Sequence, residues 1–234
     1  MSSRAASPPD VGVVVVAAGS GVRAGPGEPK QFRPILGVPM LLRALRPFTS
    51  HPDVAHVVVV LPPAFADRPP EWLGKLVGER LTLVAGGAHR VDSVQRGFQA
   101  LGPEVEVVLV HDAARPFVSR GTVDAVVALA REGVGAVAAI PMGDTVKEAN
   151  ELNRIARTLP RERLWRAQTP QGFPRAMLHQ AFERAERNPP VTDDAELCER
   201  AGFPVEIVPD SPHNLKVTTA DDLRLAEALA REVR

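Results

Sequence analysis

Residues 11–19 read Val11-Gly12-Val13-Val14-Val15-Val16-Ala17-Ala18-Gly19, and the chain continues Ser20-Gly21-Val22-Arg23-Ala24-Gly25-Pro26-Gly27-Glu28-Pro29-Lys30. The β-branched run is too short for an ordinary buried helix and shows no polar alternation, so it predicts a strand covered on both faces. Strands of that kind belong to α/β sheets, where ligands bind beyond the carboxyl ends. The glycines after the strand let the backbone approach a ligand and aim N–H groups at an anion. Arg23 and Lys30 add positive charge nearby, so the stretch reads as a loop that holds a triphosphate. The pattern is not G-x-G-x-x-G, because Ala24 fills the last position, and it is not a P-loop, because no G-K-[ST] follows. A dinucleotide fold also needs a helix straight after its glycines, which Gly25, Pro26, Gly27 and Pro29 forbid.

Working outward, similar apolar runs recur at Val57 to Leu61, Leu81 to Ala85, Val105 to Val110 and Gly135 to Ile140, with a lesser one at Val205 to Val208. Segments with helical spacing lie between them. Leu41, Leu42, Leu45 and Phe48 share one face, as do Val91, Val94, Phe98 and Leu101, and Thr122 to Ala130 forms a third. Strands alternating with helices predict a Rossmann-like α/β fold, a mainly parallel central sheet with helices on both faces. Thr219-Ala220-Asp221-Asp222 carries a capping-box start for the last helix. The first ten residues, MSSRAASPPD, read as a disordered leader before one domain spanning 11–234.

The stretch from Met142 to Arg166 breaks this alternation. Two short alternating pieces, Thr145 to Lys147 and Ile155 to Leu159, flank a turn expected at Glu148-Ala149-Asn150. They predict a β-hairpin arm that projects from the domain and packs on a second subunit.

Composition narrows the function. Lys plus Arg and Asp plus Glu each number 28, giving a net charge of +0, which disfavours a general nucleic-acid binder. The single cysteine, Cys198, excludes a disulfide framework or a cysteine metal cluster and reads as a small buried apolar residue. No apolar run is long enough for a bilayer, and the N-terminus lacks a signal-peptide core, so a cytoplasmic enzyme is expected. Only Lys30, Lys75, Lys147 and Lys216 are lysines; the other basic residues are arginine. Where arginine is the default cation, a retained lysine points to a need for a compact, flexible ammonium.

Read in order, the motifs Ala17-Ala18-Gly19, Pro29-Lys30-Gln31, Gly86-Gly87 with Arg90-Val91-Asp92-Ser93-Val94, His111-Asp112-Ala113-Ala114-Arg115-Pro116, Asp144-Thr145-Val146-Lys147, Gln168-Thr169-Pro170-Gln171, Thr192-Asp193-Asp194-Ala195 and Asn214-Leu215-Lys216-Val217-Thr218 cover nearly the whole chain. Each is common alone. Together they resemble the 2-C-methyl-D-erythritol 4-phosphate cytidylyltransferase family. The resemblance implies transfer of CMP from CTP to a sugar-alcohol phosphate, with magnesium as cofactor and a homodimer as the working form. It implies that Ala17, Ala18, Gly19 and Gly21 bind the CTP phosphates and that Gly87 and Ser93 lie where cytosine and ribose are read. Arg23 and Lys30 match transition-state-stabilising positions, and Arg161 and Lys216 would hold the acceptor phosphate. Asp112 and Arg115 match positions near the acceptor and the metal-bound phosphates, with Asp112 the one protein ligand to an ion held mainly by CTP. Thr169 and Thr192 match acceptor contacts, while Thr145 and Arg161 match arm residues that reach a neighbouring subunit's site. Ala88 departs from the family pattern, which often has an acid there.

Ordinary structural roles compete with these. Asp112 also fits a helix-capping acid at a strand end, Thr192 a helix N-cap, Lys216 an exposed lysine between Leu215 and Val217, and Arg161 one of several solvated arginines beside Arg163 and Arg166. Within the class, ribitol-5-phosphate cytidylyltransferase shares most of the motifs. Outside it, a nicotinamide-dependent oxidoreductase would need an acid ending the second strand, where Leu61-Pro62-Pro63 stands. A nucleotide-sensing dimer would be expected to lack Lys30 or Asp112, and both are present.

Overall fold

The computed structural model describes residues 8–19, 29–186 and 189–232. Strand β1 (Val11–Val16) is an interior strand of the main sheet. A 3-10 turn (Lys30–Phe32) and the short antiparallel pair β2 (Pro34–Ile35) and β3 (Val38–Pro39) lead into helix α1 (Met40–Thr49). Then follow β4 (Val54–Leu61), the short helices α2 (Pro63–Ala66) and α3 (Glu71–Gly74), β5 (Leu81–Ala85), α4 (Arg90–Gln99), β6 (Val107–Asp112), α5 (Arg120–Arg131) and β7 (Gly135–Pro141). The hairpin β8 (Val146–Ala149) and β9 (Ile155–Leu159) precedes β10 (Trp165–Pro174), α6 (Arg175–Arg184), α7 (Asp194–Arg200), β11 (Val205–Pro209) and α8 (Ala220–Glu232).

Seven strands form one sheet in the order β11-β7-β10-β6-β1-β4-β5. It is parallel except for β10, which runs antiparallel between β6 and β7. The continuous valine runs follow from burial on both faces. Val11, Val13 and Val15 pack with α1 and α5 on one side, while Val14 meets α4, α6 and α7 on the other. Gly97 lets α4 lie close, since a Cβ there would stand 2.4 Å from Val14 Cγ1. Cys198 is fully buried on α7, as its small apolar character predicts, and burial pushes its thiol well up.

Three expectations need correction. Strand β10 was not anticipated, and it takes Trp165 and Arg166 out of the arm. Its sequence, WRAQTPQGFP, has no β-branched run, and a register shift between Ala167 and Gln171 accommodates its proline. The hairpin turn falls later than expected. Glu148 and Ala149 belong to β8, and Asn150 Oδ1 closes the turn by accepting from Leu152 and Arg154 N–H at 3.1 and 3.0 Å. Asp10, read as leader, is tied down: its N–H donates to Asp53 O at 3.1 Å and its carboxylate pairs with Arg131. The capping box at α8 forms as its spacing predicts, with Asp222 Oδ2 accepting from Thr218 and Thr219 N–H at 2.8 Å each.

Candidate active site

The carboxyl ends of β1, β5 and β6 extend one residue beyond the regular ladder. Ala17 N–H donates to Val60 O at 2.8 Å, Ala113 N–H to Val16 O at 3.1 Å and Gly86 N–H to Leu61 O at 2.8 Å. Gln31, 2% exposed, donates through Nε2 to Ala17 O at 2.7 Å and so draws Pro29-Lys30-Gln31 onto the end of β1. Between β5 and α4 the chain needs glycine twice. A Cβ on Gly86 would stand 2.5 Å from Ala18 Cβ, and one on Gly87 2.4 Å from Asp92 Cβ. Ser93 Oγ fastens this turn, accepting from Gly87 N–H at 3.0 Å and donating to His89 O at 3.1 Å.

These segments enclose a cavity of about 480 Å³, within the size range of small-molecule sites. Its wall includes Ala17, Ala18, Gly19, Lys30, Gly87, Ser93, Asp112 and Lys216, eight residues singled out from sequence, together with Ala88, His89 and Arg90 at the start of α4. Arg23 and Gly21 lie outside the described residues. A hollow of about 530 Å³ lies at the opposite end of the sheet, beside Phe98 and Pro174. The guanidinium there, on Arg175, is committed to the carbonyls of Gly102 and Val105.

Asp112 is the only acid on the cavity wall among the described residues. Lys216 Nζ lies 2.7 Å from its Oδ2, and Arg90 Nη2 lies 3.5 Å from its Oδ1. Burial opposes ionisation of Asp112, but Arg90 and Lys216 outweigh it and hold the carboxyl well below the usual range. Lys30 Nζ donates to Val217 O at 3.1 Å, which brings the second lysine beside the segment that carries Lys216. Arg90 in turn places Nη1 2.8 Å from Asp194 Oδ2, a carboxylate only 1% exposed, although this contact is misaligned for a hydrogen bond. Burial lowers the tendency of Arg90 to hold its proton, but Asp194 and Asp112 more than offset this and fix it as a cation.

A buried polar layer lies beneath Asp112. Its N–H donates to Thr169 Oγ1 at 3.0 Å, and that hydroxyl lies 3.0 Å from His111 Nδ1. His111 Nε2 lies 3.0 Å from the carbonyl of Arg115, which can only accept. Nε2 therefore carries the proton, Nδ1 accepts, and Thr169 donates to it. Burial pushes the His111 imidazole down to about 4, so it is neutral with both nitrogens engaged. Arg115, 8% exposed, donates to Asn214 O at 2.7 Å rather than facing the cavity. Asn214 Nδ2 donates to Thr169 O at 2.8 Å, which ties the loop before Lys216 to β10.

The remaining sequence candidates lie elsewhere. Thr192 is exposed, and the N-cap of α7 is Asp193 instead, whose Oδ1 accepts from Glu196 N–H at 2.9 Å. Thr145 and Arg161 are exposed near the foot of the hairpin, where Arg161 donates to Gly143 O, and neither lines this chain's own cavity. Sequence reasoning passed over Arg90 and Asp194. Arg90 stood inside a quoted motif, but only the neighbouring glycines and serine received roles.

Among the described residues no group of three His, Cys, Asp or Glu side chains could hold a metal. A single wall carboxylate at a site rich in cations fits a hard ion that draws its other ligands from phosphate oxygens. No helix of the described residues is long and apolar enough to cross a membrane.

Comparison with known proteins agrees with this geometry. The chain is 45% identical to a 2-C-methyl-D-erythritol 4-phosphate cytidylyltransferase of Frankia casuarinae over 94% of its own length and 81% of that protein. It is 40% identical to one from Syntrophus aciditrophicus over 96% and 97% of the two chains. A crystal structure of the Thermus thermophilus enzyme, 38% identical, superposes with a TM-score of 0.79 over 95% of this chain and 99% of that one. The family model described as 2-C-methyl-D-erythritol 4-phosphate cytidylyltransferase matches residues 11–232, and with the glycine turns, the two lysines and Asp112 gathered at one end of the sheet, the chain belongs to that family.

Proposed function

We propose that this chain transfers CMP from CTP to 2-C-methyl-D-erythritol 4-phosphate and releases pyrophosphate, as a cytoplasmic homodimer. Family membership supports the reaction, and one observation carries it to these residues: Lys30, Lys216 and Asp112 line one cavity at the carboxyl ends of β1 and β6, with Lys216 paired to Asp112. An oxygen of the acceptor phosphate attacks the α-phosphorus of CTP in line, the bond to the β-phosphate breaks, and pyrophosphate leaves with that electron pair. The nucleophile is already ionised near neutral pH and needs no general base. This agrees with His111 being neutral and fully engaged. The protein's task is to position and to neutralise charge.

Ala17, Ala18, Gly19 and Gly21 cradle the triphosphate, and Gly87 and Ser93 lie against the nucleoside. Lys30 and Arg23 stabilise charge on the α-phosphate and the leaving group. Lys216 binds the acceptor phosphate, while Thr169 and Arg115 support Asp112 and the Asn214 loop from below. Magnesium, bound mainly through the triphosphate with Asp112 as protein ligand, would supply further charge neutralisation. Arg161 and Thr145 serve the cavity of the partner subunit, and Thr192 takes an acceptor contact. The exposed apolar side chains of the hairpin, Leu152 at 72% and Ile155 at 67%, support an arm that packs on a second copy.

The test is pyrophosphate release from CTP and magnesium, with methylerythritol phosphate or ribitol 5-phosphate as acceptor. Turnover with methylerythritol phosphate alone is expected. Turnover with ribitol phosphate in its place would overturn the acceptor assignment, and silence with both would overturn the reaction.

A further inference from the structure

Among the described residues two cations pair with Asp112, and they differ in what holds them. Lys216 sits in the loop between β11 and α8, its side chain 42% exposed. Arg90 begins α4, its side chain 28% exposed, and spans two carboxylates on two other elements. One of them, Asp194, is itself fixed: Asp194 and Ala195 N–H both donate to Gln171 Oε1 of β10, at 3.0 and 2.9 Å. Gln171 is 1% exposed, so this anchor is part of the sheet's interior. Among the described residues Arg90 is the only cation paired with Asp194.

From this asymmetry, and resting on the proposed function, we infer that Arg90 is a positioning residue: anchored on buried Asp194, it holds Asp112 in the cavity while Lys216 exchanges Asp112 for a substrate phosphate. Withdrawing Arg90 would leave Asp194, whose carboxyl burial already pushes up, with no countercharge among the described residues, which the fold resists. Withdrawing Lys216 exposes an ammonium that a phosphate can take up at once. A lysine suits that exchange, being a compact charge on a flexible stem, and an arginine suits the strut, because its planar fork reaches two carboxylates together. The strut also explains why three separate elements, α4, β6 and α7, meet at this corner of the cavity.

The experiment has a structural arm and a kinetic arm. In crystals of Lys216→Ala the Asp112 carboxylate is expected to stay in place, and in Arg90→Gln to turn away; displacement in Lys216→Ala as large as in Arg90→Gln overturns the inference. Kinetically, Arg90→Gln and Asp194→Asn are each expected to lower kcat roughly 10-fold or more through misplacement, with little change in KM for CTP. The double variant is expected to lose no more than Arg90→Gln alone, because both substitutions remove one strut. Additive losses, or an Asp194→Asn enzyme as active as wild type, refute it. Should Arg90→Gln fail to fold, Arg90→Lys carries the test, since one ammonium cannot span both carboxylates; full activity with Asp112 unmoved in that variant counts against the strut. A wild-type protein inactive with CTP would sink the proposed function while the crystal pair still decides the strut.

Discussion

The floor of the cavity and the β8–β9 hairpin are both pieces of β-structure, and they differ in what surrounds them. Every residue of β6, from Val107 to Asp112, is buried, and its last two donate hydrogen bonds, His111 to the carbonyl of Arg115 and Asp112 N–H to Thr169 Oγ1. In β9 only Leu159 is even partly covered. The hairpin is held by its Asn150 turn, by Lys147 donating to Thr158 at 2.7 Å and by the exposed Glu148–Arg157 pair. A lone two-stranded ribbon is marginal in water, and exposed ion pairs add little. The cavity floor is therefore packed on all sides by its own chain, while the hairpin is mostly exposed, as the proposed dimer would require of it.

The largest effect is expected from Lys30→Ala: kcat should fall by about 10²–10³-fold, the usual loss for a group aimed at developing charge, while the melting temperature stays close to wild type. Near-wild-type turnover would remove Lys30 from the chemistry. Next, mixing Lys30→Ala with Arg161→Ala should restore part of the activity, because hybrid dimers would pair an intact cavity with an intact arm. No recovery after demonstrated subunit exchange would show that the arm serves its own chain or none. Leu152→Ser with Ile155→Ser should shift sedimentation toward monomer and leave the sheet's melting nearly unchanged.

Gly87→Ala follows with a smaller effect. Its new methyl meets Asp92 at the start of α4, so a cost of about 1–3 kcal/mol and weaker CTP binding are expected, read from melting and titration. Unchanged CTP affinity would place the nucleotide elsewhere. The smallest effect belongs to Glu196, whose carboxyl the Thr192 N–H and hydroxyl and the Arg200 guanidinium draw down to about 2. A lowered acid pKa stabilises the fold above its unfolded value, about 4.3, and the gain is lost as pH falls through the folded value. Glu196→Gln should therefore melt slightly below wild type at pH 6, by roughly 0.5 kcal/mol, and the gap should close toward pH 2. A gap that widens on acidification would contradict this.

Much of this was legible in the sequence because burial on both faces leaves an unmistakable mark. The valine runs of β1, β4 and β6 and the spacing of Leu41, Leu45 and Phe48 on α1 depend only on local pattern and on what covers it. Lys30, Asp112 and Lys216 were legible as well, since they follow strand ends or stand out among so many arginines. Strand β10 was not, because its interior residues Gln168, Thr169 and Gln171 are polar. They are buried for the bonds they make to Asn214, His111, Asp193 and the start of α7, not for apolar character. Arg90 and Asp194 were hidden for a related reason. Each looks like an ordinary charge in the first turn of a helix, and only the folded chain brings the two helices together.

Strand β10 also sets an order of assembly. Strand β7 bonds only to β10 and β11 among the described strands, and both come later in the chain. As the protein leaves the ribosome, β1, β4, β5 and β6 can close among themselves, whereas β7 must wait through the whole interval from Pro141 to Trp165 with both edges open. Its Ala136 to Ile140 segment, buried in the finished sheet, is then apolar and unpaired, the state most open to pairing with another nascent chain. Strand β7 gains its first partner only when Trp165 to Pro174 emerge to insert between β6 and β7, and its second only when Val205 to Pro209 follow.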